Sequence, residues 1–215
     1  MFPYLDNGPT PPGRIHPWTA SRTNPDWQYW DFRLQPELIP EVLEDFKPFE
    51  RFQAIQTFYA FLRWLNGAAS EFESNDSGLR APKVDDQPPQ FLPFERPTVM
   101  HGRLAIIFHD LECNSQNEAV DWVKQSLLQC LNSVPKFPSS IAIGSWPHYF
   151  SATGKEGHAI SLQFWAWGED SDMAIENLDG CFRVLWECLR RISEHLKSES
   201  QSDPDDTWTS GRRRD

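Results

Sequence analysis

No CxxC pair, HExxH helix or HxH strand occurs in this 215-residue chain, and neither does a glycine-rich phosphate loop or a GxSxG turn. The usual sequence traces of zinc sites, dinucleotide and nucleotide pockets, and serine acyl transfer are therefore missing. The six histidines, His16, His101, His109, His148, His158 and His195, are scattered, so no metal or cofactor is expected. The four cysteines, Cys113, Cys130, Cys181 and Cys188, are too few and too irregularly spaced for a secreted disulfide scaffold. They are expected to be reduced. No run of 18 apolar residues occurs, and Met1 to Asp6 has neither a basic segment nor an apolar core. These two deficits predict no membrane span, no export signal and a cytoplasmic setting. Basic residues are also scarce: 20 Lys and Arg face 31 Asp and Glu, for a net charge of −11. Such a surface repels phosphate backbones and anionic lipids, so nonspecific nucleic-acid binding is disfavoured and a basic protein becomes the natural partner.

Aromatic side chains, in contrast, are abundant. Ten Trp and 15 Phe contribute to a 39% hydrophobic fraction, and each buried ring removes roughly 150–250 Å² from water. A substantial core is available within one domain. Residues 1–35 are dense in proline and tryptophan and predict an irregular arm packed on the body, with one short strand allowed by the alternation from Trp27 to Leu34. Residues 36–197 form the single α+β domain, and the polar, acidic segment 198–215 reads as a disordered tail.

Within the domain, a short helical piece over residues 37–45 precedes a longer helix from Pro48 to Asn66, with Phe52, Ile55, Phe58, Tyr59, Leu62 and Leu65 along one side. Residues 68–98 carry five prolines and predict a long surface loop. Arg103 to His109 is β-rich, and Ser115 to Glu118 has the form of a capping box opening a helix that Pro135 ends. Ser140 to Trp146 and Ala159 to Trp167 predict a hairpin, the second strand placing Ile160, Leu162, Phe164 and Ala166 opposite Ser161, Gln163, Trp165 and Trp167. A final helix from Ser171 to Leu196 repeats apolar residues in steps of three and four. Gly180 inside it implies close packing or a bend.

The expected architecture is α+β: an antiparallel sheet from a β-α-β-β-α unit, resembling an incomplete ferredoxin-like arrangement, with helices on one face. An N-terminal helix and the aromatic arm supply a further layer or strand.

Candidate chemistry is sparse. Glu71, Glu73 and Asp76 are close enough in sequence to hold a hard cation or act as acid and base, although solvation is the plainer reading of an acidic loop. His109 and Asp110 close the first strand of the unit, where catalytic groups often sit. Cys113 beside them permits a thiol–imidazole pair, but a polar turn explains it more simply. Trp146, Trp165 and Trp167 fall outside the core faces, and Glu169, Asp170 and Asp172 follow them. Aromatic rings next to carboxylates suit a partner-binding surface. Alternatively, the arm covers these rings, and the carboxylates complement a helix dipole.

Three functional expectations follow. The first is a non-catalytic acidic binding module, an inhibitor or immunity-type partner of a basic effector such as a nuclease or toxin. The second is an enzyme using Glu71, Glu73, Asp76, His109 and Asp110. The third is a structural subunit or homodimer joined through Trp165 and Trp167.

Overall fold

The computed structural model describes residues 1–6, 8, 12–18 and 29–202, the last three by backbone alone. Six strands form one sheet: β1 (Phe2–Leu5), β2 (Arg14–His16), β3 (Phe72–Val84), β4 (Thr98–Phe108), β5 (Ser139–Phe150) and β6 (Lys155–Gly168). Among the described residues four α-helices accompany it: α1 (Ile39–Val42), α2 (Gln53–Leu65), α3 (Asn117–Asn132) and α4 (Ser171–Ser202). The chain is α+β, and its sheet is mixed rather than antiparallel as expected. The strand order is β1-β5-β6-β4-β3, with β2 farther along β5, and both β1 and β2 run parallel to β5. All other pairings are antiparallel. Because β6 lies between β4 and β5, antiparallel to each, β4 and β5 run parallel, and α3 makes the crossover between them.

The face that α2, α3 and α4 cover follows from side-chain period. Alternate residues of a strand share a face, and Leu104, Ile106, Ile141, Ile143, Ile160, Leu162, Phe164 and Ala166 all lie in the main core. The helices present matching stripes: Ile55, Phe58, Leu62 and Leu65 from α2, Val120, Val123, Leu127 and Leu131 from α3, and Leu178, Phe182, Leu185 and Leu189 from α4. Phe58 and Phe182 meet with ring centroids 4.6 Å apart, and Phe164 closes on Phe182 edge-on at 5.1 Å. Gly102 sits opposite Phe164 in β4, where a methyl group would collide with that ring. Gly180 in α4 faces the Phe137 ring, 3.2 Å from where a Cβ would stand, so close packing explains it.

Several expectations are corrected. The supposed loop over 68–98 contains β3, a 13-residue edge strand, and only residues 85–97 connect it irregularly to β4. The arm is not wholly irregular, because β1 and β2 extend the sheet. No strand forms over the described part of Trp27 to Leu34, where residues 32–34 make a turn; Trp27 and Gln28 lie outside the described residues. Pro48 sits within a 3-10 turn (Glu44–Phe49) rather than opening α2. Ser115 ends another 3-10 turn (Cys113–Ser115) and does not cap α3; its hydroxyl is buried without a hydrogen-bond partner. The last helix reaches Ser202, which displaces the start of the supposed disordered tail; residues 203–215 lie outside the described residues. Finally, Cys130 of α3 and Cys188 of α4 form a disulfide, so not all four thiols are free.

Candidate functional site: a buried polar cluster beneath the N-terminal arm

The sheet's second face is built on different chemistry. Strand β3 pairs Glu73 with Ile107 and Asp76 with Ala105, and a bulge between Ser74 and Asp76 inserts Asn75. A bulge adds one residue to one strand and re-aims its side chains. Here Asn75 joins Glu73 and Asp76 toward the arm, and all three are buried. Ser74 points back to the helix side, where Asn66 at the end of α2 exchanges hydrogen bonds with its backbone and hydroxyl at 3.0 Å.

Asn75 joins two histidines. His148 Nδ1 lies 3.1 Å from the Trp146 carbonyl and can only donate there, so in the neutral ring Nε2 accepts from the Asn75 amide at 2.8 Å. Asn75 Oδ1 then accepts from His16 Nδ1 at 2.9 Å. This leaves His16 Nε2 bare, 3.8 Å from Glu73 Oε1. Glu73 in turn accepts from the Tyr29 hydroxyl and from Arg33, both at 3.2 Å. The Trp18 indole N–H closes the arm onto the Asn75 carbonyl at 2.8 Å. Burial holds both histidines below the ordinary imidazole range. The same burial pushes the Glu73 carboxyl up, against the opposing pull of Arg33 and Tyr29, and pushes the Tyr29 phenol up as well. The chain of donors requires a neutral His148, whose Nε2 must accept, and burial favours the neutral state of both rings.

Asp76 organises the neighbouring region. It accepts from Arg14 NH1 at 3.1 Å and from Arg103 Nε at 3.0 Å, with Arg103 NH2 at 3.4 Å. The Arg14 guanidinium lies 5.6 Å from the ring centres of both Trp18 and Trp146, within range of cation–π attraction. Beside this ion pair a cavity of about 290 Å³ opens between the arm, β3 and the 3-10 turn at Glu44–Phe49. It is lined by Arg14, Arg103, Asp76 and Ser77, by Trp18, Trp30, Leu43 and Phe46, and by Glu44 and Asp45.

The residues singled out from sequence are divided by this geometry. Glu73 and Asp76 enter the buried cluster, whereas Glu71 turns to Lys197 of α4 at 3.8 Å. His109 follows β4, its amide donating to the Glu71 carbonyl at 2.9 Å. Its Nε2 is buried without a hydrogen-bond partner, and burial, with Arg33 and Lys197 nearby, lowers its pKa to about 4. Asp110 is exposed and accepts from the backbone of Glu112 in its own turn. Cys113 lies 3.7 Å from the Asp110 carboxylate, and burial together with that negative charge pushes its thiol up to about 11. This is the reverse of what a thiolate nucleophile needs.

Among the aromatic residues, Trp146 is half-buried against Arg14, and Trp165 is half-buried with its ring stacked on His101 at 4.8 Å. Trp167 corrects the expectation of an open partner-binding ring, since it is only 6% exposed. Phe91 of the 85–97 connection touches Phe2 of β1 at 4.1 Å, so that connection crosses this end of the outer face. Glu169, Asp170 and Asp172 remain exposed, and Asp170 also caps α4 by accepting from the Met173 amide at 2.9 Å.

Sequence reasoning missed Arg14, His16, Trp18, Tyr29, Arg33, Asn75, Arg103 and His148 as members of one cluster. Nothing local signalled it, because Ser74, Asn75 and Asp76 are residue types that favour turns. No group of His, Cys, Asp or Glu suited to a metal occurs among the described residues, and none of their helices is long and apolar enough to cross a membrane. No protein-family model, curated protein or solved structure matches the chain.

Proposed function

We propose that this chain is a non-catalytic binding module for a basic protein, an inhibitor or immunity-type partner of an effector such as a nuclease or toxin. The observation behind this reading is an acidic pole. Register places Val84, Thr98 and Gly168 side by side. The turns leaving these positions therefore bring Asp85, Asp86 and Glu95 to the same end of the sheet as Glu169, Asp170 and Asp172. Of the six only Asp85 is partly buried, and Arg96 engages Asp86 at 2.6 Å. Phe91, 57% exposed, adds an apolar contact at the same end. A carboxylate-rich rim around an aromatic side chain steers a basic partner and then anchors it.

The enzymatic alternative has less support, because Glu73 and Asp76 are already committed to Arg33, Arg14 and Arg103. A structural subunit or homodimer keeps only Trp165 of its two rings. We read the β4-α3-β5-β6-α4 order as ferredoxin-like, with β3 beside β4 where the unit lacks a strand.

The test is capture of a basic protein on the immobilised chain at low salt, identification by mass spectrometry, and repetition with Glu169→Lys/Asp172→Lys. Release by salt and loss of capture by the double variant support the reading; undiminished capture by that variant rejects the acidic pole. A cytoplasmic setting predicts four free thiols in rapidly quenched extracts. An oxidising compartment, where the Cys130–Cys188 pairing belongs, predicts two.

A further inference from the structure

We infer that the His16–Asn75–His148 relay is a clasp that admits one proton and is opened by a second. The inference goes beyond the basic partner proposed above and does not rest on it.

The relay joins the two margins of the sheet. Asn75 belongs to β3, His148 to β5 and His16 to β2, while β4 and β6 lie between β3 and β5. A second, smaller core of Ile107, Phe150 and Ala159 is buried on this face. The His16 and His148 rings pack on it, with centroids 5.7 and 5.9 Å from that of Phe150. The clasp therefore closes the arm side of the sheet over apolar side chains, and parting Asn75 from the rings uncovers them.

Proton capacity follows from counting donors and acceptors. A side-chain amide presents N–H donors at one end and a single acceptor oxygen at the other. With both rings neutral the arrangement is fixed: His148 donates from Nδ1 to the Trp146 carbonyl and accepts at Nε2, and His16 donates from Nδ1 to Asn75 Oδ1. A first proton has a place on His16 Nε2, which is bare and faces Glu73 Oε1 at 3.8 Å. No hydrogen bond of the relay changes when it is filled. His148 takes that proton instead only if the Asn75 amide turns over to present its oxygen. A second proton has no place in either arrangement. Both rings then donate toward Asn75, whose one oxygen serves one of them, and the other ring N–H meets the amide N–H inside a buried contact.

The surrounding charges set the order. The groups at the clasp are Arg14 of β2, Tyr29, Asp31 and Arg33 of the arm, Glu73 and Asp76 of β3, Arg103 of β4 and His109 just beyond it. Arg14 and Arg103 donate to Asp76, and Arg33 donates to Glu73. Glu73 and Asp31 favour charge on His16. Arg14 and a charged His16 oppose charge on His148, against the pull of Asp76. His16 is therefore the first site and His148 the second.

The test follows the full chain from about pH 8 to about pH 4. Long-range nitrogen NMR reads the histidine rings, the Trp18 indole N–H reads the arm, and the Ile160 and Leu162 methyl signals read the helix-covered face. His148 is expected to titrate about one pH unit or more below His16. The Trp18 signal should move with the His148 step alone, while both methyl signals stay in place. His16→Phe keeps a ring beside Tyr29 and Phe150 and frees the Asn75 amide to turn over. The His148 pKa should then rise by about one unit or more, with Trp18 unmoved. His148→Phe keeps the stacking on Phe150 and removes the second step, so Trp18 should hold its position while His16 titrates. The clasp is overturned if the two rings titrate together, if Trp18 moves with the first proton, or if His16→Phe leaves the His148 pKa unchanged. Loss of the Ile160 and Leu162 signals together with the Trp18 movement overturns it too, because the whole chain would then be unfolding.

Discussion

The two faces of the sheet are buried by opposite means. Under the helices, burial is apolar and nonspecific in direction: Phe164, Leu162 and Ile106 are 0% exposed and need only shape. Under the arm, burial is polar and directional: Asn75, His148 and His16 are 2–5% exposed and each requires a particular partner. The first face tolerates isosteric exchange among hydrophobic residues, whereas the second loses free energy when any one donor or acceptor is left alone.

Four measurements break or sharpen this contrast. The largest effect is expected from Phe164→Ala, which opens a void between Phe58, Phe182 and Gly102; urea unfolding should show a loss of about 3–5 kcal/mol. Next comes Asn75→Ala, which orphans two ring nitrogens at roughly 1–2 kcal/mol each, so a loss well under 1 kcal/mol would show that the histidines do not depend on it. Asn75→Asp refines the same point: a carboxylate between His16 and His148 should raise both imidazole pKa values, read by NMR, and unchanged titration would remove the relay.

The third effect is pH dependence. His16, His101, His109 and His148 are all lowered by burial, His109 to about 4. Below an unfolded value near 6.5 the unfolded chain binds more protons, so this stability is present above that pH and is lost as pH falls toward 4. Glu73 is shifted upward and acts in the opposite sense, since its burial costs most once it is ionised. Four groups outweigh one, so unfolding midpoints should fall between pH 7 and pH 5, and flat midpoints would contradict the neutral assignments. The smallest effect on stability is expected from the exposed pair Glu169→Lys/Asp172→Lys, within about 0.5 kcal/mol per site. A larger loss would mean that these carboxylates serve the fold rather than a surface.

The helix-covered face was legible because its signal is local. Leu178, Phe182, Leu185 and Leu189 recur at helical spacing, and Ile160, Leu162 and Phe164 alternate as a strand must. β3 was not legible, because Glu73-Ser-Asn-Asp-Ser-Gly78 resembles an exposed loop and only Pro82 and its neighbours punctuate it. It is a strand because β4 supplies its ladder and the arm satisfies its polar groups, so context overrides a poor β-propensity. Half of the proposed acidic pole, Glu169, Asp170 and Asp172, was visible as a run of charge. The cavity was not, since Trp18, Leu43, Asp76 and Arg103 meet only after the sheet has formed.

By itself the sequence determined the apolar stripes, the β5–β6 hairpin, the long last helix and the acidic balance, because each depends on residues within a few positions of one another. Tertiary structure alone decided that the sheet is mixed, that Cys130 meets Cys188, and that Asn75 holds His16 and His148 across 59 and 73 residues of chain. Apolar burial leaves a period in the sequence, whereas a buried hydrogen bond is satisfied by whichever distant group the fold delivers, and no local pattern records that choice.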